Sequence, residues 1–305
     1  MNEARPGANR RSLALRVVRA LLVTVVVLYL LIATAIWWVQ TRVLYHPRQT
    51  VDSTPADLGL TFEPVQLPLN GDRLAGWWVP SKNSDAATLL YLHGNAGSVS
   101  ANADQVQRLA ATGLNIFIFD YRGYGESTGG PPCERLIYED AERAWTYLVR
   151  ERGIQPSGVV IYGHSLGGAV AVELASRHPD AGGLITENTF PSIIDMAKGT
   201  LFAWLPLRVI VTERFDSASR VGSIRVPKLM LHGDADPMIP VRVARRLYDD
   251  AAEPKQFAVI AGGDHEDSAE LNPAAYFAAL NGFLRTYHLS PLATQRAGSS
   301  TFATH

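Results

Sequence analysis

Residues 159–168 read Val159-Val160-Ile161-Tyr162-Gly163-His164-Ser165-Leu166-Gly167-Gly168, and AVAVELAS, small or apolar apart from Glu173, follows at 169–176. Four consecutive apolar residues are expected of a strand buried on both faces. Here they run straight into a Gly-x-Ser-x-Gly turn and a helix. That pentapeptide alone is a weak signal, and the strand–turn–helix context is what gives it chemical content. A serine at such a turn projects from cramped backbone, so Gly163 and Gly167 remove side chains that would collide. Its hydroxyl then stands over a helix N-terminus, whose amides favour developing negative charge. The plain alternative is a glycine-rich turn with a helix-capping serine.

Working outward, strand-like and helix-like segments alternate. Residues 61–69 and 73–79, separated by Asn70-Gly71-Asp72, predict a hairpin. Strands are expected at 88–92, 115–119, 184–186, 228–231 and 257–260. Helices are expected near 101–112, 166–177, 240–251 and 273–286. Another opens at Pro131-Pro132, with Ile137, Ala141, Ala144, Trp145, Leu148 and Val149 on one stripe, and ends at Gly153. The pattern predicts an α/β fold: a mostly parallel central sheet with helices on both faces and antiparallel strands at one edge. Such sheets place their chemistry beyond the carboxyl ends of the strands.

A serine hydroxyl needs a base, and the base needs a group to orient it. His46 falls in a linker, His288 and His305 in or near the tail, and His178 at a helix end away from the serine. His164 is expected to point away across the turn, and His93 and His232 to shape His-Gly loops. His265 remains, in Gly262-Gly263-Asp264-His265-Glu266 after the last strand. The loop after strand 228–231 offers Asp234 and Asp236. Asp236, at the tip before Pro237, is better placed, whereas Asp234 suits a local turn bond. The order Ser165, Asp236, His265 is that of the α/β-hydrolase arrangement. The loop His93-Gly94-Asn95-Ala96-Gly97 can aim amides at a carbonyl oxygen, which makes the backbone N–H groups of Asn95 and Leu166 the candidate oxyanion donors. No Walker lysine follows that loop, so phosphate binding is not indicated. Asp264, Glu266 and Asp267 find no completing ligand elsewhere, and no metal or cofactor is expected.

Composition bounds the rest. The chain has 305 residues, 47% hydrophobic and 19% charged, with a formal net charge of −1. That excludes a disordered polymer and makes nucleic acid an improbable partner. The single cysteine, Cys133, excludes an intrachain disulfide. Residues 1–19 carry Arg5, Arg10, Arg11, Arg16 and Arg19 against Glu3 and predict a basic cytoplasmic tail. Residues 20–41 hold no charge. As a helix, those 22 residues would reach about 33 Å, enough to cross the ~30 Å of a bilayer's hydrocarbon. A transmembrane signal-anchor is therefore expected, with Trp37 and Trp38 near its outer end and the rest of the chain on the non-cytoplasmic side, periplasmic in a bacterium. The rival is cleavage at Ala33-Thr34-Ala35, against which the apolar run continues through Val39. A linker at 42–58, a domain at 59–287 and a flexible tail at 288–305 complete the expected organisation.

From about Leu60 to Tyr287 the sequence resembles the membrane-anchored α/β-hydrolases of the BEM46 type, which share motifs with serine aminopeptidase-like hydrolases and eukaryotic ABHD acyl-thioesterases. The motifs are HGNAGS at 93–98, DYRGYGES at 120–127, GHSLGG at 163–168, RFDS at 214–217, HGDADPMIP at 232–240 and GGDH at 262–265. The resemblance implies Ser165 as nucleophile, Asp236 as acid and His265 as base, an N-terminal signal-anchor, and loop-bracing roles for the polar residues of DYRGYGES. It implies ester, thioester or lipid substrates. The insertion at about 188–225 carries Phe190, Ile193, Ile194, Met196, Leu201, Phe202, Trp204, Leu205, Leu207, Val209 and Ile210. It reads either as an apolar lid that receives an acyl chain and touches the bilayer, or as a helix packed on the sheet. Two other functions compete with ester hydrolysis: an inert binding protein on a hydrolase fold, and an aminopeptidase-like peptide hydrolase with Glu187 in an amine clamp.

Overall fold

The computed structural model describes residues 7–289. The first six residues of the basic segment and the tail from 290 lie outside the described residues. Helix α1 (Gly7–Leu44) leads into an eight-stranded sheet built from β1 (Glu63–Leu69), β2 (Asp72–Val79), β3 (Thr88–Leu92), β4 (Asn115–Phe119), β5 (Val159–His164), β6 (Gly183–Glu187), β7 (Lys228–Gly233) and β8 (Lys255–Ile260). The strand order is β8-β7-β6-β5-β3-β4-β2-β1. β1 pairs antiparallel with β2, and β2 with β4, while all other pairings are parallel. This is the α/β-hydrolase fold with its antiparallel edge. Asn70 and Gly71 take the positive φ angles, 51° and 89°, that the hairpin turn requires.

The uniformly apolar strands are buried on both faces because helices cover both. Alternation along each strand sends Leu90, Phe117, Phe119, Ile161 and Leu184 to one side, against α3 (Glu134–Thr146) and α4 (Leu166–Arg177). Leu89, Tyr91, Ile116, Ile118, Val160 and Tyr162 go to the other, against α2 (Ala103–Ala110) and the C-terminal α10 (Pro273–Thr286). The helical stripe expected after Pro131-Pro132 supplies Ile137, Ala141, Ala144, Trp145 and Leu148 to the first core.

The insertion departs from a single packed helix. It is three short helices, α5 (Ile193–Ala197), α6 (Leu207–Ile210) and α7 (Ala218–Val221), separated by turns. Pro206, which lacks an N–H, and the glycine-containing run 199–204 break helical continuity. Leu205, Leu207, Ile210 and Val211 are buried against Tyr29, Ala33 and Ile36 of α1, one stripe at i, i+4 and i+7. The Tyr29 and Trp204 rings lie 5.4 Å apart. By length and composition α1 is able to cross a membrane, and most of its large apolar side chains are exposed. Helices α8 (Val241–Asp250) and α9 (Ser268–Leu271) complete the α-helices among the described residues.

Residues 45–53 lie along the loops at the carboxyl edge of the sheet. His46–Pro47 forms a two-residue parallel ladder with Ala96–Gly97. The N–H of Gly125 donates to the Arg48 carbonyl at 2.8 Å, and Ser100 Oγ accepts from the N–H groups of Asp52 and Ser53.

Candidate active site

Ser165 sits between β5 and α4 at φ 53°, ψ −120°. A non-glycine residue there costs roughly 1–3 kcal/mol and persists only where its surroundings over-determine it. The surroundings do so. The Ser165 N–H donates to the Glu187 carbonyl at 2.9 Å, and the Ser165 carbonyl accepts from Gly168 N–H at 3.0 Å and Thr189 Oγ1 at 2.8 Å. The flanking glycines are steric necessities. A Cβ on Gly163 would meet the Gly167 carbonyl oxygen at 2.1 Å, and one on Gly167 would meet the Leu92 oxygen at 2.0 Å.

From the far ends of β7 and β8 two more side chains converge. The Ser165 hydroxyl lies 2.9 Å from His265 Nε2, and His265 Nδ1 lies 2.7 Å from Asp236 Oδ2. All three residues are buried. Asp236 Oδ1 accepts from the N–H groups of Met238 and Ile239, each at 2.8 Å. Burial alone would lower the imidazole's pKa, but the hydrogen bond and charge of Asp236 outweigh it and raise it above the ordinary histidine value. Burial likewise opposes the Asp236 charge, yet His265 and the two amides hold its pKa below the usual carboxylate value. Asp234 lies outside this chain of bonds, its Oδ1 accepting from Gly262 N–H at 2.7 Å.

Residues 87–216 match the model of the alpha/beta hydrolase fold family. The chain is 31% identical over 273 residues to the alpha/beta hydrolase domain-containing protein WAV2 of Arabidopsis thaliana, a match spanning 81% of this chain and 88% of that protein. The chain belongs to the α/β-hydrolase family. It is also 35% identical over 199 residues to the lysophosphatidylserine lipase ABHD12 of Danio rerio, covering 59% of this chain and 51% of that protein. The esterase Pf2001 of Pyrococcus furiosus superposes with a TM-score of 0.64 at 21% identity, over 79% of this chain and 98% of that one.

In this α/β-hydrolase a cavity of about 50 Å³ adjoins Ser165, lined also by Gly94, Asn95, Ala96, Ala101, Asn102, His164 and Glu266. Leu166 is the first residue of α4, where a helix leaves its N–H groups without intrahelical partners. The Asn95 peptide is clamped. Its carbonyl accepts from His46 N–H at 3.0 Å and Tyr124 Oη at 2.8 Å, and its side-chain Nδ2 donates to the Leu44 carbonyl at 2.8 Å. The DYRGYGES segment bonds along the same loop. Tyr121 Oη donates to the His93 carbonyl at 3.1 Å, and Asp120 Oδ1 accepts from Val99 N–H at 2.8 Å. Arg122 is held by Asp140 at 2.6 Å and Glu139 at 2.9 Å. Buried His93 donates from Nδ1 to the Gly94 carbonyl, and burial pushes its pKa down to about 4, which keeps it neutral.

His164 does not point away as expected. Its ring lines the Ser165 cavity, 5.3 Å from the His265 ring, and Nε2 donates to the His265 carbonyl at 2.7 Å. The next departure is Asn188, which sequence reasoning missed. Fully buried at φ 46°, it donates from Nδ2 to the carbonyls of Asp264 and His265, each at 2.8 Å, and accepts at Oδ1 from Gly233 N–H at 2.9 Å. One side chain therefore joins the ends of β6, β7 and β8. Only its place at the end of a strand near the active edge hints at this in the sequence.

Proposed function

We propose that the protein is a membrane-anchored serine hydrolase that cleaves carboxylic ester or thioester bonds through an acyl-enzyme. The observation that carries this reading is the unbroken run of hydrogen bonds Ser165–His265–Asp236. His265 Nε2 accepts the Ser165 proton as Oγ attacks the carbonyl carbon, and Asp236 fixes the tautomer and stabilises the imidazolium. The N–H groups of Leu166 and Asn95 receive the oxyanion. His265 then delivers its proton to the leaving oxygen or sulfur, and a water repeats the sequence on the acyl-enzyme to release the acid. The lipase activity in the name of ABHD12 supports an ester of an acyl chain. No cofactor enters any of these steps.

The aminopeptidase reading asks for an accessible carboxylate to hold an amine. Glu187 suits this poorly, because it is buried and its Oε2 accepts from the hydroxyls of Tyr162 and Tyr276. An inert scaffold gives no reason to hold Ser165 in a strained turn beside an aligned base. For topology we propose that the charge-free run 20–41 crosses the bilayer, with the arginine-rich N-terminus cytoplasmic and the domain on the other side.

The test is pre-steady-state hydrolysis of p-nitrophenyl butyrate by the detergent-solubilised full chain. A burst of about one nitrophenolate per chain, absent in Ser165→Ala, is the expected result. Undiminished turnover by Ser165→Ala would overturn the reading.

A further inference from the structure

Between the last two turns of α1 and the insertion lies a second cavity, of about 340 Å³. That is more than twice the ~150 Å³ that suffices to hold a benzene ring in a dry apolar site. Its helix wall is Val39, Val43 and Leu44, and its opposite wall is Ala197, Phe202 and Val211. The two polar side chains at its rim are engaged elsewhere. Gln40 donates to the Trp37 carbonyl and accepts from Thr212 N–H, each at 2.9 Å, while Glu213 accepts from Tyr45 Oη and Glu134 N–H. The cavity thus offers an apolar lining to whatever enters it.

Two observations specify the occupant. The insertion packs on Tyr29, Ala33 and Ile36, which lie inside the charge-free run 20–41, so its exposed Leu201, Trp204 and Val209 stand beside the part of α1 that we read as surrounded by lipid. The helix wall of the cavity, from Ile36 to Leu44, therefore begins inside that run and ends just beyond it, at the outer margin of the leaflet. One hydrogen bond separates this wall from that of the small cavity beside Ser165: Leu44 lines the first, the Leu44 carbonyl accepts from Asn95 Nδ2 at 2.8 Å, and Asn95 lines the second.

We propose that this cavity holds the acyl chain of a membrane lipid ester, taken directly from the leaflet, with the chain's own anchor helix as one wall of the substrate site. The inference rests on the serine-hydrolase and membrane-spanning readings above. It adds that α1 selects substrate as well as tethering the enzyme.

Ala197→Phe and Val39→Trp fill the cavity from opposite walls. The full-length protein in phosphatidylcholine vesicles is assayed with p-nitrophenyl esters of two to sixteen carbons, with a small fluorophosphonate and with diazirine-tagged palmitate. Both variants are expected to lose kcat/KM for long-chain esters on the order of tenfold or more. Acetate turnover and fluorophosphonate labelling stay within about twofold of wild type. Palmitate crosslinks are expected in residues 36–44 and 193–213 of the wild type, and weaker in both variants. Equal loss at every chain length, no loss at any, or crosslinks confined elsewhere would overturn the acyl site while leaving the hydrolase reading standing. Crosslinks at these residues without fluorophosphonate labelling of the wild type would instead overturn the hydrolase reading and leave an acyl-binding site.

Discussion

The side-chain amide of Asn188 holds the backbone of His265, Nδ2 to carbonyl oxygen at 2.8 Å, while its Oδ1 holds Gly233, three residues before Asp236. The loops that carry His265 and Asp236 are thus set relative to each other by a residue that belongs to neither. Asn188→Ala leaves the Gly233 N–H and two carbonyls without this partner in a buried place. It should lower stability by about 2–3 kcal/mol. Small displacements at a reacting centre cost up to roughly 100-fold in rate, so kcat should fall by about 10–100-fold with KM little changed. Stopped-flow turnover beside urea denaturation separates the two effects, and a purely structural role would leave kcat of the folded fraction intact.

Asp236 and Asp234 stand two residues apart in different bonds, one to His265 Nδ1 and the other to Gly262 N–H. Asp236→Asn should lower kcat on the order of 10⁴-fold, since an amide there favours the wrong imidazole tautomer. Asp234→Asn keeps an acceptor for Gly262 and should stay within about threefold, with at most ~1 kcal/mol lost in stability. Steady-state kinetics on the two purified variants decide it.

The proposed attack by Ser165 requires neutral His265, whose pKa is raised in the folded chain by Asp236 against the opposing effect of burial. The acid limb of kcat/KM should therefore lie above the ordinary histidine value of about 6.5, with activity rising as pH increases through it. In Asp236→Asn the residual activity should show that limb moved to lower pH, because burial then acts unopposed by the carboxylate. The same bond fixes signs for stability. The His265 contribution is full below its unfolded pKa and is lost as pH rises through its folded value. The Asp236 contribution is present above its unfolded pKa and is lost as pH falls through its folded value. Thermal melts of wild type and Asp236→Asn across pH 4–9 should differ most at the acid end of that range, where both contributions are present, and draw together as pH rises through the folded His265 value.

Gly167→Ala places a Cβ 2.0 Å from the Leu92 carbonyl oxygen, a backbone atom that cannot swing aside. The cost should be about 3 kcal/mol or more, and β3 must shift at the loop that carries Asn95. Urea midpoints measure the first effect. Loss of burst amplitude in the folded fraction measures the second.

The Asn95 peptide is held by groups from α1, from residue 46 and from Tyr124. Asn95→Ala keeps the candidate oxyanion N–H but removes the side-chain bond to Leu44. A roughly tenfold fall in kcat with fluorophosphonate labelling slowed in parallel is expected if that bond positions the amide. Unchanged kcat would make the bond a tether only.

The sheet was legible because its strands are short apolar runs between helical stripes. β5 ends in Gly163 and His164 before Ser165, and the hairpin turns at Asn70-Gly71, where local chemistry and fold agree. The geometry that brings Ser165, Asp236 and His265 together follows from three strand ends meeting at one sheet edge. What the sequence left hidden depends on contacts across the chain. The His164 ring direction is decided by the His265 carbonyl, 101 residues away. Asn188 looks like any polar residue after a strand until three loops close on it. The pairing of His46–Pro47 with Ala96–Gly97 is only two residues long, too short for any periodicity to reveal. The insertion's apolar residues gave no helical register because Pro206 and the turns around it divide them among short segments and α1.

Every step of the proposed hydrolysis depends on Ser165 acting as a nucleophile activated by His265. The most direct measurement is labelling of the solubilised full chain by a fluorophosphonate, with the modified residue located by mass spectrometry, beside Ser165→Ala and His265→Ala. Stoichiometric modification of Ser165 is expected in the wild type, none in Ser165→Ala, and labelling slowed on the order of 10³-fold or more in His265→Ala. A folded wild type that is not modified, or is modified at another residue, would contradict the proposed role of Ser165.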